Sequence, residues 1–129
     1  NETADPDKVA LRVDNNVKVA GQAYIDLDAL GDAGTSRAID WNDSNIQSMT
    51  LNGNLAISAL NNGNPGGCYI LVVTQPAGQN YTISFPPTVD WHNNNTAPGT
   101  ITSDRTDVYT FICRTTTSFL GTYAEDFII

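Results

Sequence analysis

Apolar and polar residues alternate along much of this chain, which is the pattern of β-strands with one buried face. The runs 9–13 and 81–85 show the alternation most clearly. No window of ten residues has helical spacing, and Pro and Gly interrupt the chain too often for long helices. Strands are therefore predicted at residues 9–13, 17–27, 38–41, 49–60 with an interruption, about 68–75, 81–85, about 107–114 and about 118–124.

The segments between these runs are rich in Gly, Asn and Pro, and two of them, 28–36 and 92–100, are predicted as longer loops. Asn52-Gly53 lies between apolar runs and predicts either a hairpin turn or a β-bulge. Pro86-Pro87 must end the strand before it, because neither residue donates a backbone hydrogen bond. The run Cys68–Gln75 is almost continuously apolar, as expected of a strand buried on both sides.

Short strands with frequent turn residues predict an all-β fold, an antiparallel β-sandwich with a jelly-roll-like order. No internal repeat is clear enough to indicate a β-helix or a propeller. At 129 residues the chain is expected to form one core-bearing domain. Residues 38–129 are expected to be the β-sandwich module, and residues 1–37 an N-terminal arm that carries strands.

The composition supports a β protein and excludes several partners. Charged residues make up only 16% of the chain, below the usual share of about 25%, and 14 Asn and 15 Thr replace them. The net charge of −8, with six basic residues, argues against nucleic acid, because phosphate binding needs clustered Lys and Arg. No stretch approaches the ~20 apolar residues that cross a bilayer, so no membrane partner is predicted.

The residue types of known catalytic and metal centres do not form a recognisable set, so no enzyme and no cofactor are predicted. His92 is the single histidine, and Asp90 lies close enough in sequence to orient it, but no nucleophile motif accompanies the pair. The segment from Asp26 to Arg37 resembles a calcium loop but lacks two of its ligands, including the closing Glu. Cys68 and Cys113 are compatible with a disulfide or with two small buried side chains.

One segment has the composition of a binding surface. Trp91, His92, Asn93, Asn94 and Asn95 place an aromatic ring beside several amides, which suits sugar recognition by stacking and hydrogen bonding. The alternative interpretation is that Trp91 packs in the core and the asparagines form a turn.

Several short motifs follow one another between Ala38 and Tyr123. They are Leu51-Asn52-Gly53-Asn54, Gly66-Gly67-Cys68-Tyr69 with Gln75, Thr82-Ile83, Trp91, Ala97-Pro98, Asp107-Val108-Tyr109-Thr110-Phe111 and Gly121-Thr122-Tyr123. No single motif is specific, but their shared order and spacing resemble those of a β module of bacteriophage virion proteins, especially tail fibres. Thr115-Thr116-Thr117 departs from the resemblance, since the family usually has Gly or Asn in the last hairpin.

The resemblance implies a non-enzymatic module on the virion surface, assembled in the host cytoplasm. It also implies a homo-oligomer, commonly a trimer, with other virion proteins as further partners. A tail-fibre or receptor-binding role, with a host surface glycan as one candidate partner, is the first hypothesis. A capsid decoration or cement protein on the head lattice is the second. The segment before Ala38 has no match and is interpreted as an attachment or intersubunit element. The apolar residues Phe127, Ile128 and Ile129 are predicted to contact another subunit.

Overall fold

A computed structural model describes residues 15–129 and shows nine strands and one short helical turn within that range. The all-β class is confirmed. The elements are β1 (Asp28–Asp32), β2 (Ser36–Asp40), β3 (Ile46–Thr50), β4 (Leu55–Asn61), β5 (Cys68–Gln75), β6 (Ile83–Ser84), β7 (Val89–Trp91), α1 (His92–Asn95), β8 (Arg105–Thr115) and β9 (Ser118–Phe127).

The strands form two sheets whose buried faces meet in one core. The larger sheet has six strands in the order β1-β3-β5-β8-β9-β7, and the smaller has three in the order β2-β4-β6. From β1 to β6 the chain alternates between the sheets, and each strand pairs in parallel with the strand two further along. Residues 28–84 therefore wind through three successive coils of a parallel β-helix.

The last part of the chain closes the larger sheet with antiparallel strands. β8 pairs antiparallel with β5 over the whole length of that strand, from Cys68 opposite Ile112 to Gln75 opposite Arg105. A two-residue turn, Thr116-Thr117, leads into β9, which pairs antiparallel with β8 and parallel with β7. The predicted antiparallel pairing thus holds for two strand pairs, and five pairs are parallel, so the order does not support a jelly roll.

The core lies between the sheets and follows the alternation seen in the sequence. On β5, Tyr69, Leu71 and Val73 are buried, whereas the intervening residues Ile70 and Val72 are only partly covered. β5 is therefore buried on one face and not on both. Two buried glutamines, Gln47 and Gln75, hydrogen-bond through their side-chain amides to backbone carbonyl oxygens of other segments. The Gln47 amide donates to the carbonyl oxygen of Asp40 at 2.6 Å, and the Gln75 amide donates to that of Tyr81 at 2.8 Å.

Several sequence predictions are wrong in the first coil, because pairing with a neighbouring strand outweighs local turn composition. The predicted loop 28–36 contains β1, whose residues pair with β3. The predicted boundary between residues 37 and 38 falls inside β2.

The predicted N-terminal strands are not seen. Residues 17–27 form no strand and are exposed, and the predicted strand 9–13 lies outside the described residues.

The Asn52-Gly53 segment is neither a hairpin turn nor a bulge. It carries the chain from β3 in the larger sheet to β4 in the smaller one. The predicted strand 81–85 is reduced to Ile83–Ser84, and Pro86-Pro87 follows one residue later, as expected of a strand end.

The coils differ in length, since Asp28 pairs with Gln47 whereas Ile46 pairs with Ile70. This unequal spacing leaves no fixed period in the sequence, which explains why the β-helix was not predicted.

Candidate binding and assembly surfaces

Trp91, the predicted stacking platform, belongs to the core. Its side chain is 7% exposed at the end of β7. The ring centroid lies 5.0 Å from that of Phe85, 5.8 Å from that of Phe111 and 5.7 Å from that of Tyr123. Gly121 on β9 leaves room for the ring, because a Cβ there would lie 2.7 Å from Trp91 Cε3. The predicted stacking of a ligand on this ring is therefore corrected, and the alternative of a core tryptophan holds.

The four residues after Trp91 are exposed and form α1, a turn that is largely left-handed. Asn93, Asn94 and Asn95 have φ angles of 56°, 60° and 57°, a region that Asn tolerates better than other residues with a Cβ. Asn95 Oδ1 accepts a hydrogen bond of 2.7 Å from the Trp91 backbone N–H, which closes the turn. The Asn run thus has a structural role as a turn. Ligand binding by these exposed amides stays a prediction.

Asp90 and His92 face different partners. The Asp90 carboxylate lies 3.2 Å from the Arg114 guanidinium at an exposed edge of the sheet. The His92 ring packs beside Tyr123 with a centroid distance of 4.8 Å. No hydrogen bond joins Asp90 to His92 among those of the described residues, so the geometry of an Asp–His pair is not formed.

The C-terminal residues Phe127, Ile128 and Ile129 are 47%, 78% and 84% exposed. Phe127 pairs with Thr106 at the end of β9, and Ile128 and Ile129 continue beyond the strand. Exposure of three consecutive apolar side chains fits the prediction that this tail contacts another subunit, which no observation on a single chain tests.

The side of the larger sheet that faces away from the core exposes several apolar residues, among them Ile112 and Leu120. Residues paired across neighbouring strands point to the same side. One row runs from Ile46 through Ile70 to Thr110, and a second from Cys68 through Ile112 to Leu120. We call this surface the outer face. It comprises Ile46, Ser48, Thr50, Cys68, Ile70, Val72, Thr74, Thr106, Val108, Thr110, Ile112, Leu120, Thr122, Ala124 and Phe127.

Within the described residues, the side chains that make up the outer face include no Asp, Glu, Lys, Arg or His, in a chain of net charge −8. Charged residues border it: Asp32 on β1 pairs with Thr50, Asp90 on β7 pairs with Leu120, and Arg114 follows Ile112 on the same side of β8. Ile112 and Leu120 face each other there and are 49% and 40% exposed. The ion pair of Asp90 with Arg114 lies at one corner of the face and neutralises itself. At the opposite end the hydroxyls of Thr74 and Thr106 bond to each other at 2.9 Å, so this pair needs no solvent partner. A sheet face whose central rows are uncharged and partly apolar is suited to contact with another protein surface.

The two cysteines lie on opposite sides of the larger sheet and are not bonded to each other. Cys68 is exposed on the outer face, opposite Ile112, whereas Cys113 is buried in the core. The prediction of two small buried side chains therefore holds for Cys113 only. Burial raises the pKa of the Cys113 thiol, which keeps it protonated and unreactive.

Asp107 is the buried carboxylate of the larger sheet, 1% exposed. It lies opposite a bulge in β9, where Asp107 Oδ1 accepts a hydrogen bond of 2.9 Å from the Asp126 backbone N–H. Burial raises the pKa of Asp107, and the nearby Asp126 charge adds to the rise, although the hydrogen bond from the Asp126 N–H opposes it. This hydrogen bond holds the backbone of the bulge in β9, just before the exposed tail.

The described part of the chain shows neither a cluster of metal ligands nor a membrane-spanning helix. Within residues 15–129 no three His, Cys, Asp or Glu side chains are close enough to hold a metal ion. No helix in that range has the length and apolar character needed to cross a bilayer. No family model, curated protein or solved structure matches this chain.

Proposed function

We propose that this chain is a non-enzymatic structural module of a bacteriophage virion surface, a tail-fibre or receptor-binding module that works as a homo-oligomer. The order of motifs from Ala38 to Tyr123 supports the phage assignment by resemblance. The proposal of assembly rests on the outer face, whose central rows carry no charged side chain, and we assign a second copy of this chain as the partner that covers it.

Charge favours a second copy on this face. Two chains with a net charge of −8 repel each other wherever their acidic surfaces approach. That repulsion is weaker on the outer face, because its own side chains are apolar, carry hydroxyl groups or, at Cys68, a thiol, and the bordering Asp90 is paired with Arg114. Burying it also removes Ile112 and Leu120 from water, which contributes about 25 cal/mol for each Å² of apolar area.

The area of the outer face is smaller than the area that a stable interface buries on each partner. Four strands spaced ~4.8 Å apart and a length of about seven residues give a flat area of about 440 Å². A stable interface buries about 800 Å² on each partner. The exposed tail Phe127–Ile129 continues one end of the face, and the exposed segment 15–27 precedes β1 at its edge. We assign the remaining contact area to these two segments, in a trimer.

The surroundings of the ionisable side chains support a non-enzymatic role. Asp90 is paired with Arg114, His92 packs beside Tyr123, and the buried Asp107 accepts a hydrogen bond from the backbone of β9. Each of these groups has a structural contact within the described part of the chain.

Sedimentation equilibrium tests the assembly. The wild-type chain is expected at about three times its mass of 13.9 kDa. Ile112→Lys places one charge in each copy at the centre of the proposed contact and is expected to lower the mass to that of the monomer. Since Ile112 is already half exposed, the unfolding midpoint of the Ile112→Lys variant should differ little from that of the wild type.

Ser84→Lys is the matched control, because it places the same charge on an exposed position of the smaller sheet. It should sediment as the wild type does. A monomeric wild type, or an Ile112→Lys variant that keeps the wild-type mass, would overturn the assembly proposal.

Cryo-electron microscopy of virions tests the phage assignment. Density for this chain at a fibre is the expected result. Density on the capsid lattice would instead support the decoration or cement role, and a particle without the chain would refute both.

A further inference from the structure

The second surface feature of note is a cleft on the side of the smaller sheet. β6 pairs with β4 only at Leu55 and Ala56, and Pro86-Pro87 then leads the chain away. The rest of β4 therefore has no strand beside it on that edge within residues 15–129. The turn between β8 and β9 borders the gap from the other side, which leaves a cleft of about 490 Å³.

The cleft is lined by neutral polar and apolar surface in about equal parts. Hydroxyl groups come from β4, from the Pro86–Thr88 segment and from the β8–β9 turn, and amides come from the end of β4. The polar lining residues are Ser58, Asn61, Asn62, Thr88, Thr116 and Thr117. Pro86 and Leu60 add apolar surface between them.

One of the amides is held in place before any ligand arrives. Asn62 has a left-handed backbone, with φ of 58°, and its Nδ2 donates to Asp40 Oδ1 at 2.8 Å. Asp40 is itself fixed by accepting from the Asn42 backbone N–H at 2.9 Å. A donor and acceptor group that is already oriented loses little conformational entropy on binding.

We propose that this cleft binds a neutral carbohydrate. Hydroxyl and amide groups both donate and accept, as the hydroxyls of a sugar require. An apolar ligand would leave the cleft's polar groups unpaired, which is unfavourable. Among residues 15–129 no charged residue lines the cleft, and the chain is strongly acidic, so sialylated, phosphorylated or uronic-acid glycans are disfavoured. The volume lies within the range of about 300–1,000 Å³ seen for small-molecule sites.

The position of the cleft fits the proposed function, on which this inference rests for its biological setting. The cleft lies beside the smaller sheet, and the outer face is the far side of the larger sheet. Assembly through the outer face would leave the cleft open in every subunit. Weak binding by one cleft would then be strengthened by the number of copies.

An array of neutral and acidic oligosaccharides from bacterial surfaces is the probe. The wild-type chain is expected to bind neutral oligosaccharides and no acidic ones. Addition of the neutral oligosaccharide bound best should shift the backbone amide resonances of residues 58–62 and 116–117 in the ¹⁵N-labelled protein. No binding to any neutral oligosaccharide, a preference for acidic ones, or resonance shifts confined to other residues would overturn the proposal.

Two variants on different elements fill the cleft. Ser58→Trp and Thr117→Trp each replace an exposed small side chain and are expected to weaken binding at least tenfold. Thr102→Trp, at an exposed position outside the cleft, should bind as the wild type does. Wild-type affinity in both cleft variants would also overturn the proposal.

The failure of this proposal is distinguishable from that of the assembly. A monomer that binds neutral oligosaccharides would refute assembly and support carbohydrate binding by the cleft. A trimer that binds no neutral oligosaccharide would support assembly and refute carbohydrate binding by the cleft.

Discussion

Replacing Trp91 by Ala tests whether this residue stabilises the fold or serves a ligand. Its ring lies among Phe85, Phe111 and Tyr123 and is 7% exposed, so Trp91→Ala leaves a large cavity between the sheets. His92→Ala is the matched control, since it is the next residue and is exposed.

The expected cost follows from the packing. Removal of a buried tryptophan costs about 3–5 kcal/mol in transfer and cavity free energy. Each edge-to-face or tilted aromatic contact that is lost adds about 0.5–1.5 kcal/mol, part of which is already in that range. Because a domain of this size has a total stability of about 5–15 kcal/mol, the variant loses at least about a fifth of its stability. His92→Ala gives up one contact, with Tyr123, and should cost less than about 1 kcal/mol.

Urea unfolding followed by circular dichroism measures both variants, and this signal does not depend on the tryptophan that is removed. At a slope of about 1.5 kcal/mol per M, Trp91→Ala should lower the midpoint by about 2–3 M. Gly121→Ala should also destabilise, because its Cβ would meet the same ring at 2.7 Å. A Trp91→Ala variant that loses less than about 1 kcal/mol would refute the packing and return the ring to the role of a ligand platform.

Two further predictions concern strained or buried groups. In the fold the pKa of Asp107 is raised, so between its unfolded value of about 3.9 and its folded value the folded state binds more protons. The wild type should therefore lose stability relative to Asp107→Asn as the pH rises through that window, in urea melts at a series of pH values, and a constant difference would contradict the burial of the carboxylate. At Asn94, with φ of 60°, Asn94→Gly should be neutral or stabilising and Asn94→Val should cost about 1–2 kcal/mol in thermal melts, whereas equal stability of the two variants would argue against the left-handed turn.

The strands that the sequence predicted best are those whose alternation and turns are local. β5, β8 and β9 agree with the predicted runs to within three residues, because a buried row and turn residues mark them. β1 was missed, since Asp28–Asp32 has a weak apolar pattern and is held by pairing with β3. Long-range pairing of this kind leaves little trace in a short segment.

The same distinction applies to the candidate surfaces. Trp91 beside three asparagines has the composition of a sugar site, but its burial depends on Phe111 and Tyr123, which are distant in sequence from the turn. The outer face could not be predicted either, because its rows exist only once β3, β5, β8 and β9 are in register. The exposed tail Phe127–Ile129 was predictable, since three apolar residues end a polar segment.

The reactivity of Cys68 tests the central claim most directly, because its thiol lies on the outer face and Cys113 is buried. The rate of maleimide labelling should be slow at high protein concentration, where a second copy covers the face. It should rise on dilution to the rate of the Ile112→Lys monomer. A labelling rate that is fast and independent of concentration would show that the outer face is open to solvent, and assembly through it would be refuted.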